Sequence, residues 1–355
     1  MKQNKNPFHS LKSGHWFKLI CGASYQNLPA IRSLALAYTL AGADCIDVAA
    51  DPAVITAAIE GIEAAASMRA VVKPWLMVSV NDGEDPHFRK AVFDETKCPS
   101  DCPRPCEQIC PANAISDFFG VINERCYGCG RCLSVCPEKL IYTRSYVTTP
   151  SMITPLIEDM TIDAMEIHTQ VGHGALFHKL WQDISPYCEK LKLLAISCQD
   201  GPDLIDYLQS LYQTIAPLPC PLIWQTDGRP MSGDIGPGTT RATIKLAQKV
   251  LAAQLPGYVQ LAGGTNNTTV DKLKEVGLLQ PTGNQHSISG IAYGSYARHL
   301  LSPIIDQLET INSQVNENLR NSPSPLQLED APDLLSRAVE SARNLIIPLK
   351  SPINK

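Results

Sequence analysis

Eight of the thirteen cysteines in this chain fall between Cys98 and Cys136, in two runs that each close on Cys-Pro. The second run, Cys126-x2-Cys129-x2-Cys132-x3-Cys136-Pro137, has the spacing of a bacterial ferredoxin. Thiolates at those offsets converge on one face of a cubane iron–sulfur cluster, and the fourth reaches across to a second cluster. The first run, Cys98-x3-Cys102-x3-Cys106-x3-Cys110-Pro111, has the same ending and two wider early gaps. Each Cys-Pro is followed by a similar apolar position, Ile115 and Ile141, so the halves read as one repeated unit. The crossover rule assigns Cys98, Cys102, Cys106 and Cys136 to one [4Fe-4S] cluster, and Cys126, Cys129, Cys132 and Cys110 to the other. The wider gaps suit a first-run cluster that is more labile or that loses an iron. A disulfide framework is disfavoured, because the remaining cysteines are few and scattered. A pair of tetrahedral zinc sites stays open as the alternative, since Cys-x2-Cys pairs also suit zinc.

The rest of the chain narrows the class. A net charge of −5 without a Lys/Arg block gives no reason to expect nucleic acid as a partner. Residues 1–16 are polar and lack the apolar core of a secretory signal, and no stretch is apolar enough for a membrane-spanning helix. Thiolates gathered for metal binding point to a reducing compartment, the cytoplasm.

Outside the cysteine block, short apolar runs alternate with helical patterns. Expected strands lie at 16–22, 45–50, 75–80, 164–168, 193–198, 222–225, 258–262 and 288–293. Helical spacing follows at 27–41, 53–66, 152–160, 175–191, 202–215, 242–255, 270–278 and 296–308. Continuous apolar strands between amphipathic helices indicate a parallel sheet covered on the outside. Eight such units close into a (β/α)8 TIM-like barrel, with a ferredoxin-like two-cluster module inserted after strand three. An open doubly wound parallel sheet is the alternative. The expected division is 1–92 and 148–312 for the two parts of the barrel, 93–147 for the insert, and 313–355 for a linker and C-terminal helix. In that last helix, Leu335, Ala338, Ala342 and Leu345 form a stripe suited to packing on the barrel.

Loops after barrel strands build the active-site face, so the insert lies on the side where ligands bind. Strand seven ends in Gly263-Gly264 and strand eight in Gly294-Ser295. Glycines there let backbone amides approach an anion, the usual phosphate position in barrels. Such a phosphate belongs either to flavin mononucleotide (FMN) or to a phosphorylated substrate, with Lys18 as a balancing cation. The bland reading is tight strand-to-helix turns, with Lys18 paired to Asp47 inside the barrel. Asp47, Asp51, His168, Gln199, Gln225 and Asp227 also stand at strand ends, where Asp51 reads more simply as a helix cap and His168 as structural. The glycine-rich stretch from Thr226 to Gly238 reads as a lid or a plain loop. No nucleophile triad, metal-hydrolase set or Walker loop is present.

Several stretches carry a family resemblance. Gly14-His-Trp-Phe-Lys-Leu-Ile-Cys-Gly-Ala-Ser24, Ala41-Gly-Ala-Asp-Cys-Ile-Asp-Val-Ala-Ala-Asp-Pro52 and the first cysteine run are similar to the cyanobacterial light-dependent period (LdpA) family. So are Gln260-Leu-Ala-Gly-Gly-Thr-Asn266 and Gly290-Ile-Ala-Tyr-Gly-Ser-Tyr-Ala-Arg298. The resemblance covers nearly the whole chain apart from both ends. It implies an iron–sulfur protein that reports cellular redox state to the circadian clock. It also implies clock-associated partners, including a sensor histidine kinase, and the eight cysteines as cluster ligands. It names no catalytic residue. The residues alone favour a different function: an iron–sulfur oxidoreductase, fed by a redox carrier, whose clusters pass electrons to a flavin or phosphate-bearing ligand at the barrel mouth.

Overall fold

The computed structural model describes residues 6–116, 120–147, 156–157, 162–229, 236, 238–279, 287–318 and 325–351. Eight parallel strands close into a barrel: β1 (Trp16–Gly22), β2 (Cys45–Ala49), β3 (Trp75–Asn81), β8 (Ala164–Thr169), β9 (Leu193–Gln199), β10 (Leu222–Asp227), β11 (Tyr258–Ala262) and β12 (Gly290–Tyr293). β3 pairs directly with β8, so the cysteine-bearing segment between them is an excursion that adds no strand to the barrel. The fold is the expected (β/α)8 TIM-like barrel, not the open sheet.

Alternation along each strand separates two environments. Phe17, Leu19 and Cys21 of β1 point outward into the main core shared with the helices. Trp16 points inward, in a small cluster with Cys45, Met77, Ala164, Leu193, Ala195 and Ile223. A short helix, α1 (Pro7–Lys12), closes that end of the barrel with Leu11, fully buried in the same cluster. Local chemistry fixes the helix starts. Asn27 caps α2 (Leu28–Ala41), which ends on Gly42 at φ 99°, and Asp51 caps α3 (Pro52–Met68) through Ala53 and Val54.

The helices after the excursion run α6 (Gly174–Ile184), α7 (Leu204–Ile215), α8 (Thr240–Ala252), α9 (Thr269–Glu275) and α10 (Ser295–Asn318). The helix expected over 175–191 tightens to a 3-10 turn at Ser185–Lys190, where Pro186 removes a backbone donor. α10 runs ten residues past its expected end, and strand eight starts two residues later than expected. The helix expected over 152–160 lies outside the described residues except for 156–157, which are helical; so do 230–235 and 237 of the expected lid and 321–324 of the linker. The C-terminal helix, α11 (Pro332–Lys350), buries its Leu335, Ala338, Ala342 and Leu345 stripe. Lys350 at its end pairs with Asp44, whose carboxylate also accepts the Phe17 amide at 2.7 Å.

α2 and α3 meet at Gly61, where an added Cβ would lie 2.3 Å from the Arg32 carbonyl oxygen and 2.9 Å from Ala35 Cβ. Alanine normally gains about 1 kcal/mol over glycine in a helix. Overpacking costs about 1–3 kcal/mol and here meets backbone, which cannot swing aside. Gly61→Ala is therefore expected to lower stability by about 1 kcal/mol or more, read from the denaturant midpoint. An unchanged or raised midpoint contradicts this contact.

Candidate functional site

The excursion after β3 opens and closes on an antiparallel pair, β4 (Arg89–Val92) with β7 (Tyr142–Ser145), and contains a second small pair, β5 (Ile115–Ser116) with β6 (Gly120–Val121). Between them lie two short helices, α4 (Pro105–Gln108) and α5 (Arg131–Val135), each carrying the buried third cysteine of its run, Cys106 and Cys132. Both helices start from a left-handed residue, Arg104 at φ 51° and Gly130 at φ 74°. The turns after the Cys-Pro pairs also match. Asn113 (φ 46°) and Lys139 (φ 52°) each stand three residues past the last cysteine of their run, and each returns its amide to that cysteine's carbonyl. The repeat read in the sequence is thus a repeat in backbone conformation.

The thiols divide into two sets according to which of them act on one another. Cys98 is influenced by Cys102 and Cys136, and Cys106 by Cys136 and Cys102. Cys129 is influenced by Cys110 and Cys126, and Cys132 by Cys129, Cys126 and Cys110. Burial and these like-charged neighbours push the Cys132 thiol up to about 12. Burial raises Cys129 as well as Cys132, and crowded thiols of this kind suit a cationic metal centre, which holds them as thiolates. The second set is enclosed by the apolar residues Ala91, Ala114 and Ile115. Two of its sulfurs accept backbone amides: Cys126 Sγ from Ala91 at 3.4 Å and Cys110 Sγ from Ala114 at 3.2 Å. In the first set only Cys106 is buried.

Tyr127, between two thiols of the second set, fastens the module to the barrel mouth. Its ring meets Tyr25 edge-on with centroids 5.9 Å apart, and the Arg298 guanidinium lies 4.2 Å from its centroid. Arg298 in turn donates to the Ile20 carbonyl (2.8 Å) and to Ser295 Oγ (3.0 Å). Arg125 pairs with Glu309 at 2.9 Å on the flank. Tyr127 therefore borders both the buried thiols and the crevice at the barrel mouth.

Below the crevice the barrel interior is polar. Lys18, fully buried, sits between Asp47 (3.0 Å) and Glu166, with Met77 Sδ at 3.3 Å. Burial works against its ammonium, but Asp47 and Glu166 outweigh that and hold its pKa above the ordinary value. Burial also opposes the Glu166 carboxylate, yet Lys18 and then His168 bring its pKa down to about 2. Glu166 further accepts from Gln225 at 2.6 Å, and Gln225 accepts from Gln260 at 2.6 Å. Ser79 donates to Asp47 at 2.8 Å. At the mouth, His87 stands between Asp85 (2.9 Å) and Asp227 (3.1 Å). Burial disfavours its cation, but Asp227 and Asp85 prevail and push it up to about 9.

The residues expected to hold a phosphate are divided by this geometry. Gly263, Gly264, Gly294 and Ser295 line the crevice; Lys18 does not, because Asp47 and Glu166 hold it one layer deeper. That is a correction to Lys18 as a balancing cation, and it matches the bland reading of an internal pair. Gly263 (φ 63°) also has a structural duty, since a Cβ there would fall 1.7 Å from Asp227 Oδ1. Asp51 caps α3, as the simpler reading had it, and Gln199 donates to Gln170 at 2.9 Å. His168, Gln225 and Asp227 do converge on the mouth. Asp85, His87, Glu166, Tyr127 and Arg298 were not singled out in the sequence. Only Glu166 and Arg298 had a usable signal: a charged residue in a continuous apolar strand, and one in the first turn after a glycine-rich strand end.

Two family models match the chain: the Light dependent period A C-terminal domain over residues 156–348 and the LdpA Fe-S cluster-binding domain over residues 98–147. The curated protein Light dependent period A of Synechococcus elongatus is 49% identical over 347 residues, covering 98% of this chain and 94% of that protein. Among solved structures, the chain aligns with a pyruvate kinase of Cryptosporidium parvum (TM-score 0.38, 12% identity, 96% of this chain and 86% of that one). It also aligns with a fructose-bisphosphate aldolase of Campylobacter jejuni (TM-score 0.41, 10% identity, 95% and 89%). Likenesses at that level add nothing to the barrel already described.

Proposed function

The chain belongs to the light dependent period A family, and we propose that this iron–sulfur protein of light-dependent clock period works as a redox sensor for clock input. Two [4Fe-4S] clusters would be held by Cys98, Cys102, Cys106 with Cys136, and by Cys126, Cys129, Cys132 with Cys110. The division of the thiols into those two sets is the observation that carries this assignment. Iron–sulfur clusters supply one-electron chemistry at a potential set by burial and by hydrogen bonds to sulfur.

The two sets differ in both respects. Amides of Ala91 and Ala114 reach sulfurs of the second set, which buries two of its four cysteines, Cys126 and Cys132, where the first set buries one, Cys106. The more exposed set suits exchange with a redox carrier, and the more buried set suits holding a state. A change of charge in the buried set acts on Tyr127 and, through it, on Arg298 and the first strand end. Carried on to the rim of the barrel mouth, that change is what a partner such as a sensor histidine kinase would read. Among the described residues, no helix is long and apolar enough to cross a membrane. We infer a cytoplasmic setting from the thiolate chemistry.

In a cyanobacterial host whose own copy is replaced by Cys126→Ser, the dependence of rhythm period on light intensity should match that of a host lacking the protein. An unchanged light response sinks the sensor reading. A second reading, an oxidoreductase passing electrons to FMN or another phosphate-bearing ligand at the mouth, is favoured by Tyr127 bordering both thiols and crevice. Against it stands the engagement of Lys18. Stoichiometric flavin released on denaturation of the purified protein is the result that would bring it forward.

A further inference from the structure

Two histidines at the barrel mouth are arranged as metal ligands are. His168 comes from the end of β8, and His87 from the loop after β3. Each gives its Nε2 to a buried carboxylate: His168 to Glu166 at 2.9 Å and His87 to Asp227 at 3.1 Å. Each turns its Nδ1 toward the same oxygen, Asp85 Oδ1, at 3.8 Å for His168 and 2.9 Å for His87. A carboxylate behind one ring nitrogen fixes the orientation of the other, which is the usual outer shell of a metal-binding histidine. Asp85 is fixed as well, because its Oδ1 accepts the His87 backbone amide at 2.8 Å.

The 3.8 Å contact is the informative one. It is too long for a hydrogen bond, yet it sets an imidazole nitrogen facing a carboxylate oxygen inside the protein. Burial opposes a positive charge on His168, but Glu166 and Asp85 prevail, so the space between Nδ1 and Asp85 is one where positive charge is held, as a proton or as a metal ion that displaces it. Phe88 holds that ring in place, edge-on with centroids 5.1 Å apart.

We propose that His87 Nδ1, His168 Nδ1 and the Asp85 carboxylate bind one divalent transition-metal ion, with its open positions facing the barrel-mouth crevice. The three donor atoms lie within 4.8 Å of one another. Donors about 2.1 Å from one ion and on one side of it stand about 3–3.5 Å apart, so His87 and Asp85, at 2.9 Å, are close to that spacing and His168 must move in by up to about 1.5 Å. Two histidines and one carboxylate on one side leave positions for water or substrate and suit Mn2+, Fe2+ or Zn2+. Asp227 holds His87 from behind, on the ring edge opposite the proposed ion, and so supports the site as an outer-shell carboxylate. The centre is separate from the thiols and does not depend on their assignment.

The test is an anaerobic titration of the cluster-loaded full chain with Mn2+, which hard oxygen and imidazole donors take and thiolates do not favour. Electron paramagnetic resonance should show one Mn2+ bound per chain. In protein labelled with 15N-histidine, pulsed measurements should show two coupled imidazole nitrogens on the ion. Asp85→Asn and His168→Gln should each weaken binding by about a hundredfold, and Asp227→Asn by about tenfold. No bound Mn2+, or bound Mn2+ without histidine coupling, overturns the proposal. So does unchanged affinity in Asp85→Asn or His168→Gln. The nitrogen coupling decides the matter in the unaltered protein should either variant fail to fold.

Discussion

Cys136→Ser is expected to remove about four of eight irons, and the iron lost should belong with the first cysteine run, not with its own. Cys110→Ser should do the reverse and remove the cluster held by the second run. The exchange follows from the backbone repeat. Each Cys-Pro turn is closed by Asn113 or Lys139 at positive φ, whose amide returns to the carbonyl of the last cysteine in its run. Cys136 accordingly acts on Cys98 and Cys106, and Cys110 on Cys129 and Cys132. Reduced samples of the two variants should give two different electron paramagnetic resonance spectra that together make up that of the parent. If Cys136→Ser and Cys126→Ser lose the same signal, ligation is sequential and the crossed assignment is wrong. A single variant losing both signals contradicts it too, since the sets share no thiol.

Lys18→Met should cost about 3–5 kcal/mol of stability, the range for leaving a buried partner charge uncompensated. Methionine roughly conserves volume, so the loss reports charge and not packing. Two carboxylates, Asp47 and Glu166, would then face each other in the barrel with Gln225, Ser79 and His168 as their remaining partners. Both would take up protons more readily in the folded state than in the unfolded one. Folded protein then binds more protons than unfolded, so stability falls as pH rises, and the deficit against the parent shrinks toward acid pH. Adding Glu166→Gln to Lys18→Met should recover part of the loss, because the two changes touch one network. Equal denaturant midpoints for parent and Lys18→Met, at neutral pH, contradict the ion-pair account of the interior.

The barrel was legible because its strands are buried on both faces and so appear as apolar runs broken by a single serine, as in Trp75–Val80 and Leu193–Cys198. The tail helix was legible from its stripe, and the repeat from Cys-Pro. Helix ends were less so: Pro186 broke one pattern early, while α10 runs on to Asn318, ten residues past its expected end. What spacing cannot show is which inward polar residues meet. Lys18 and Asp47 sit on neighbouring strands and invite pairing, but the third member, Glu166, lies on β8 across the barrel. Asp85 and His87 stand on a loop whose sequence reads only as turn chemistry. Their convergence with His168 depends on the loop folding back over the strand ends. Tyr127 was hidden by its neighbours, since a residue between two cysteines reads as spacer until its ring is seen against Arg298.

The central claim is that this chain holds two [4Fe-4S] clusters. It is tested most directly by counting iron, acid-labile sulfide and zinc in anaerobically purified protein. About eight iron and eight sulfide per chain, with no zinc on the cysteines, is the predicted result. Zinc at about two per chain without sulfide, or iron saturating at about four, contradicts it.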